Sequence, residues 1–442
     1  MICAISGCSG SEPTYNISGR ITSGGSGLSG VTVTLSGSES RTFTTDNSGK
    51  YGFNDMQTGT YTVTPSLAGY LFAPLYRNVW LDGMNAVNFD FTGLYGVGGS
   101  LAATTQTIHL KSDGTVRAWG DNGSGQLGDG TTTDSAVPLQ VAGLAGVTAV
   151  SAGSNHSVAL KSDGTVWAWG NNNSGQLGDG TTIGRTAPVA VVGLADVKAV
   201  AAGSEDTFAL KSDGTVWAWG NNSSGQLGNG TTTNSSIPVQ TRGLSSVTGI
   251  AAGNDHTVAL KSDGTVWAWG NNSNGQLGNG TTTSSYIPVQ SSSVTNVSGI
   301  AGGAKDTFAM KVDGTVWAWG INSSGQLGNG TTTDSATPVK VTGITGAASI
   351  AAGADHAVAL NSDGTVWAWG NNSNGQLGNG TTTSSSVPIQ SSGLSGVRGI
   401  AGGAKDTFAL KSDGTVWAWG NNGHGQLGDG TLTDRLTPLQ VQ

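Results

Sequence analysis

The stretch Lys161-Ser162-Asp163-Gly164-Thr165-Val166-Trp167-Ala168-Trp169-Gly170 decides the fold, because it does not occur once. The same ten residues start again at Lys211, Lys261 and Lys411, and close variants start at Lys111, Lys311 and Asn361. Successive starts are 50 residues apart throughout. Seven copies of that length fill residues 93–442 and leave 1–92 for something else. A fixed period of this size means one supersecondary unit stacked on its neighbours.

One copy reads outward from that stretch as four strands. Ser262-Asp263-Gly264 is a hairpin turn, since glycine accepts a positive φ. His256 to Leu260 alternates before it, and Thr265 to Trp269 alternates after it. Val247 to Ala252 is a strand of small residues, which suits the innermost place in a crowded ring. A long polar loop, 271–283, leads to Tyr286-Ile287-Pro288-Val289-Gln290, where Pro288 fits an edge strand. Within that loop Asn272 reads as a solvated residue. Four strands per repeat of 40–50 residues indicate propeller blades.

The repeat resembles the regulator of chromosome condensation repeat family. The resemblance rests on Asp-Gly-Thr-Val-Trp-Ala-Trp-Gly and on Gly-Gln-Leu-Gly (125–128, 175–178 and onward). It rests also on Pro138, Pro188, Pro238, Pro288, Pro338, Pro388 and Pro438, and on Ala-Gly-x-x-His-x-x-Ala-Leu at 152–160. It implies a closed, seven-bladed ring, so the chain is all-β: a seven-bladed β-propeller behind a small N-terminal β-sandwich. The tryptophans of a copy lie two apart and point to one face of their strand. Trp119, Trp167, Trp169, Trp217, Trp219, Trp267, Trp269, Trp317, Trp319, Trp367, Trp369, Trp417 and Trp419 are therefore expected as aromatic core between blades. Light-sensing members of the family interleave Arg with Trp; here only Arg117 stands in such a place.

Residues 15–92 hold about seven short alternating segments between turns, the pattern of a β-sandwich. Ile17-Ser18-Gly19-Arg20-Ile21, Thr45-Asp46-x-x-Gly49-Lys50-Tyr51-x-Phe53 and Gly59-x-Tyr61-x-Val63 carry a resemblance to the carboxypeptidase regulatory-like, or transthyretin-like, domain. That resemblance implies a spacer or adhesive module common in exported bacterial proteins. Residues 1–14 are expected to be an N-terminus and tether: Ile5-Ser6-Gly7-Cys8 resembles a bacterial lipobox, with Cys8 the lipidated residue. Only seven residues precede Cys8, shorter than a secretory signal. The expected location is the surface or exterior of a bacterium, with the membrane reached only through that anchor.

Composition narrows the partners. The net charge is −8, and the 19 Lys and Arg are thinly spread, which excludes a phosphate-tracking basic face. The two cysteines are Cys3 and Cys8, so no disulfide or thiol nucleophile lies in either domain. No phosphate-cradling loop or HExxH helix is present. His156, His256 and His356 alternate around the ring with Asp206, Asp306 and Asp406 at one repeat position, while the first copy has Gln106. Spread over separate blades, these residues suit backbone hydrogen bonds better than a metal, so no metal or cofactor is assigned.

What remains is a surface. The short loop before the second strand changes from blade to blade and opens on the same end as the long loop. Its residues Asn155, His156, Glu205, Asp206, Asp255, His256, Lys305, Asp306, Asp355, His356, Lys405 and Asp406 are the expected partner contacts. The favoured reading is a non-catalytic, monomeric binding protein for a protein or glycan. One alternative is guanine nucleotide exchange, which the family resemblance raises; the family's founding member has an insertion and basic tail for it, and neither feature occurs here. Another is a polysaccharide-acting enzyme, for which no positioned carboxylate pair stands out.

Overall fold

The computed structural model describes residues 13–23, 26–66, 70–73, 77–95, 100–111 and 113–442; Cys8 and its proposed lipidation lie outside them. The chain divides into two compact units, Met1–Gly98 and Gly99–Gln442. Among the described residues there is no helix, and so no helix long and apolar enough to cross a membrane.

The first unit is a β-sandwich. One sheet holds Arg41–Thr44, Thr32–Gly37, Gly59–Ser66 and Arg77–Leu81 in that order. The other centres on Tyr15–Ser23, flanked by Lys50–Met56 and by Phe91–Tyr95. Alternation on both sheets buries Ile17, Ile21, Val33, Leu35, Phe53, Val63 and Phe91 between them. The strand Phe91–Tyr95 pairs with Tyr15–Ser23 and Tyr70–Ala73 and so belongs to this unit.

The second unit is seven four-stranded antiparallel sheets, each a continuous piece of chain. Val247–Ala252, His256–Lys261, Val266–Gly270 and Ser285–Gln290 form the fourth blade, from the innermost strand to the outermost. Asp263 makes the hairpin as its sequence suggests: its carboxylate accepts from Thr265 N at 3.0 Å and from Thr265 Oγ1 at 2.6 Å, and Gly264 has φ 75°. Gly270, at φ 101°, ends the third strand where a Cβ would lie 2.5 Å from the carbonyl oxygen of Asp255. No other residue fits there.

Seven identical locks join the blades. Trp169 Nε1 donates to the carbonyl of Gln126 in the preceding blade, and the same bond recurs at every seam at 2.7–2.9 Å. A second tie runs outside it, from Gly130 N to Thr186 O at 2.9 Å and onward around the ring. The ring closes through the same two bonds, Trp119 Nε1 to Gln426 O and Gly430 N to Ala136 O. No sheet contains strands from both ends of the propeller, so packing and hydrogen bonds alone close the last seam.

The tryptophan pairs separate into two environments. Trp119, Trp169, Trp219, Trp269, Trp319, Trp369 and Trp419 are buried at the seams. Trp167, Trp217, Trp267, Trp317, Trp367 and Trp417, two residues nearer the Asp-Gly hairpin, are only half-buried. In five blades a lysine caps the half-buried ring, as Lys411 Nζ does 5.0 Å from the centroid of Trp417. The all-core expectation is narrowed for this second set: Trp267, Trp317, Trp367 and Trp417 pack against the interblade clusters but stay partly exposed, and in those five blades the lysine covers the open side of the ring.

Candidate functional site: the loop rim at the mouth of the central cavity

The innermost strands surround a cavity of about 490 Å³. Its lining is Ala, Gly, Ser, Thr and aliphatic residues with Asn254, and it holds no charged side chain. Small residues there follow from crowding at the axis. The wall is neutral and sets no charged acid or base beside its Ser and Thr hydroxyls, whereas the rim above it carries charged side chains.

The rim is built by the short loops between the first and second strands. Each is closed by a backbone bond such as Gly153 N to His156 O at 2.9 Å. Neighbouring loops are tied to one another, Ser154 N to Ser204 O at 3.2 Å and Asn254 N to Ala304 O at 3.1 Å. The carbonyl of each rim residue accepts from the start of the long loop: Asn171 N to Asn155 O, Asn221 N to Glu205 O, Asn271 N to Asp255 O. Both loops therefore stand at the same end of the blade, and the backbone of the rim is held while its side chains are free to differ.

Those side chains are Asn155, Glu205, Asp255, Lys305, Asp355 and Lys405, one per blade from the second to the seventh, all at least partly exposed. Glu205 and Asp255 are neighbours. Burial, and then the charge of Glu205, push the Asp255 carboxyl above its ordinary range, while Lys305 pulls it down. Glu205 Oε2 accepts from Ser174 Oγ at 3.0 Å and from Asn221 Nδ2 at 3.2 Å. The result is an acidic pair on two blades, followed by alternating Lys305, Asp355 and Lys405.

The other six expected contacts are corrected. His156, Asp206, His256, Asp306, His356 and Asp406 are buried beneath the rim, at most 1% exposed. As first residues of the second strand they face the seam, not the solvent. His156 Nε2 lies 2.9 Å from Thr207 Oγ1, which spends its one hydrogen on Gln176 O at 2.8 Å. Nε2 must then carry the hydrogen, and Nδ1 pairs with no protein group. The same arrangement links His256 to Thr307 and His356 to Thr407. Burial pushes all three imidazoles down to about 4. Burial pushes the carboxyls of Asp206, Asp306 and Asp406 well above the ordinary range, helped by Asp255 beside the first and Asp355 beside the second.

The long loop holds a residue that sequence reasoning misplaced. Asn272 is fully buried. Its amide donates to Thr281 O and Thr283 O, both at 3.0 Å, and its oxygen accepts from Leu277 N at 2.9 Å. An Asn stands here in all seven copies, from Asn122 to Asn422, as Gly-Gln-Leu-Gly does after it, whereas the residues on either side of the Asn vary. That invariance was the available signal.

Fold and rim together define a repeat propeller whose blades are a fixed frame for one variable face. The chain belongs to the family of the RCC1-like domain, whose model matches residues 196–442. The regulator of chromosome condensation (RCC1) repeat matches 113–160 and 163–210, with a second model of that repeat over 147–176, and the carboxypeptidase regulatory-like domain matches 16–92. Yeast RCC1 (Prp20), solved bound to Kap60, superposes with TM-score 0.68 at 22% identity, over 77% of this chain and 85% of that one. Prp20p from Saccharomyces cerevisiae gives 0.68 at 23%, over 78% and 88%, and human WBSCR16 gives 0.68 at 25%, over 74% and 94%. Chitinase ChiA of Flavobacterium johnsoniae is 40% identical over 67 residues, which are 15% of this chain and 4% of that protein. The RCC1-like propeller supports a binding or regulatory role.

Proposed function

We propose that this is a non-catalytic binding protein which presents the rim of its propeller to a protein or glycan at the outer surface of a bacterium. One observation carries the reading: side-chain identity changes from blade to blade at the rim, while the seams beneath repeat. A fixed frame with one varied ring suits recognition. The acidic pair Glu205 and Asp255 opposes a partner's cations, and Lys305 and Lys405 oppose its anions. A protein is the first choice of partner, because the yeast propeller of this fold is described by its binding to Kap60, Gsp1p and histones. Export and anchoring rest on Ile5-Ser6-Gly7-Cys8 and on the export-associated sandwich resemblance. The test is a surface-protein and glycan array probed with the full chain and with a rim variant, Glu205→Lys with Lys305→Glu. A ligand retained by the parent and lost by the variant supports the reading. Ligands held equally by both overturn it.

A further inference from the structure

The seven seams are internal controls for one another, and one of them differs. On the loop-bearing end, the residue two before the Gln of Gly-Gln-Leu-Gly reaches across to the residue just before the next blade's outermost strand. Asn274 Nδ2 meets Asp334 Oδ2 at 3.2 Å, and Asn374 Nδ2 meets Asp434 Oδ2 at 2.8 Å. At the closing seam the pair is His424 Nδ1 and Asp134 Oδ2, 2.9 Å apart. Asp121 stands beside them, and one ligand atom from each of the three lies within 4.8 Å of the others. The same three places elsewhere hold neutral triples such as Ser124, Asn171 and Gly184, or Ser224, Asn271 and Ser284. Two seams carry a single carboxylate, Asp334 or Asp434. Only the closing seam gathers an imidazole and two carboxylates.

The three side chains are also positioned. Asp134 Oδ1 accepts from Asn122 N at 2.8 Å, which leaves Oδ2 toward His424. Asp121 Oδ1 accepts from Gly123 N at 2.9 Å. The backbone of His424 is fixed by a bond from its N–H to Gln426 Oε1 at 2.9 Å. With bonds of about 2.1 Å to a tetrahedral cation, two ligand atoms stand about 3.4 Å apart. His424 and Asp134 are now a hydrogen-bonded pair 2.9 Å apart, and a cation that displaces the shared proton needs only a small opening of that pair. Both side chains are about half exposed, so a cation has a path in and water can fill its remaining positions.

We propose that Asp121, Asp134 and His424 form a site for a first-row divalent cation of the Zn²⁺ class, which clasps the last blade to the first. One nitrogen with two carboxylate oxygens suits such an ion better than Mg²⁺ or Ca²⁺, which take oxygen alone. The place has a purpose in the architecture. Every other seam is bridged by the peptide chain, whereas this one is closed without it.

The experiment uses the full chain, stripped with a chelator, titrated with ZnCl₂ in a calorimeter and melted with and without the ion. A Co²⁺ absorption spectrum reads the coordination directly. His424→Ser restores the residue found at most other seams, and Asp134→Asn removes one charge; both should melt like the parent in chelator. The parent should bind one equivalent and melt higher with Zn²⁺, and each variant should lose about tenfold or more in affinity together with the melting shift. No stoichiometric binding overturns the proposal, as does binding that both variants retain, or an equal shift with Ca²⁺.

Discussion

Asn272→Ala should be as damaging as truncating a core tryptophan, although the residue sits in a polar loop. The substitution removes one acceptor and the amide hydrogens that serve two carbonyls. It leaves the buried Leu277 N–H without its acceptor, and the carbonyls of the exposed Thr281 and Thr283 without their donor. A buried backbone group left unpaired costs about 1–3 kcal/mol. Leu277 N–H is such a group, and the two part-buried bonds add about 0.5–1.5 kcal/mol each, which makes a loss of about 2–6 kcal/mol. That overlaps the range of about 3–5 kcal/mol for Trp269→Ala, which also frees the carbonyl of Gln226. The exposed neighbour Ser273 supplies the control, because Ser273→Ala should stay within about 0.5 kcal/mol. Denaturant melts of the three variants, read by tryptophan fluorescence and circular dichroism, give the comparison. If Asn272→Ala unfolds with Ser273→Ala, the buried amide is not holding the loop and the reasoning fails.

Acid should weaken the ring through its histidines. Their folded pKa of about 4 lies below the free value of 6.5, so the native state binds fewer protons in between, and stability is lost as pH falls through that window. Each accounts for up to about 3 kcal/mol of that loss, and His256→Gln, which copies Gln106 of the first blade, should lessen the fall in melting temperature between pH 6.5 and 4 without abolishing it, because His156 and His356 remain. Asp306 has the opposite sign: its raised pKa means that stability present in acid is lost as pH rises. Asp306→Asn should therefore raise the melting point at pH 7 to 8 and change it little near pH 4, as a pH series of thermal melts would read. Deleting 393–442 removes the partners of Trp119 Nε1 and of Ala136 O and should give aggregation or proteolysis; a soluble, cooperatively melting six-blade product would contradict closure.

Much of this was legible before any coordinates. The 50-residue period, the Asp-Gly turns and the edge prolines specify the blades, because turn chemistry and alternation are local. Phase was not legible. His256 begins a strand, and alternation alone does not say whether its first residue faces solvent or seam. Asn272 was misread because a run of Asn, Ser, Thr and Gly looks solvated, whereas its amide is spent on the loop's own backbone. Trp267 packs against the seam cluster yet stays half-buried, and how much of a ring its neighbours cover is a tertiary quantity that the strand pattern does not contain. The meeting of His424 with Asp134 joins residues 290 apart and exists only once the ring has closed.

The rim can be tested against a control built into the same molecule. Carboxyl-selective labelling, read by mass spectrometry, should be run with and without a ligand captured on the array. Glu205, Asp255 and Asp355 stand at the loop end of the blades, and Asp163, Asp263 and Asp363 stand in the hairpins at the other end. The account predicts that the ligand protects the first three and leaves the second three labelled as before. Protection of the hairpin carboxylates with an unchanged rim would contradict it.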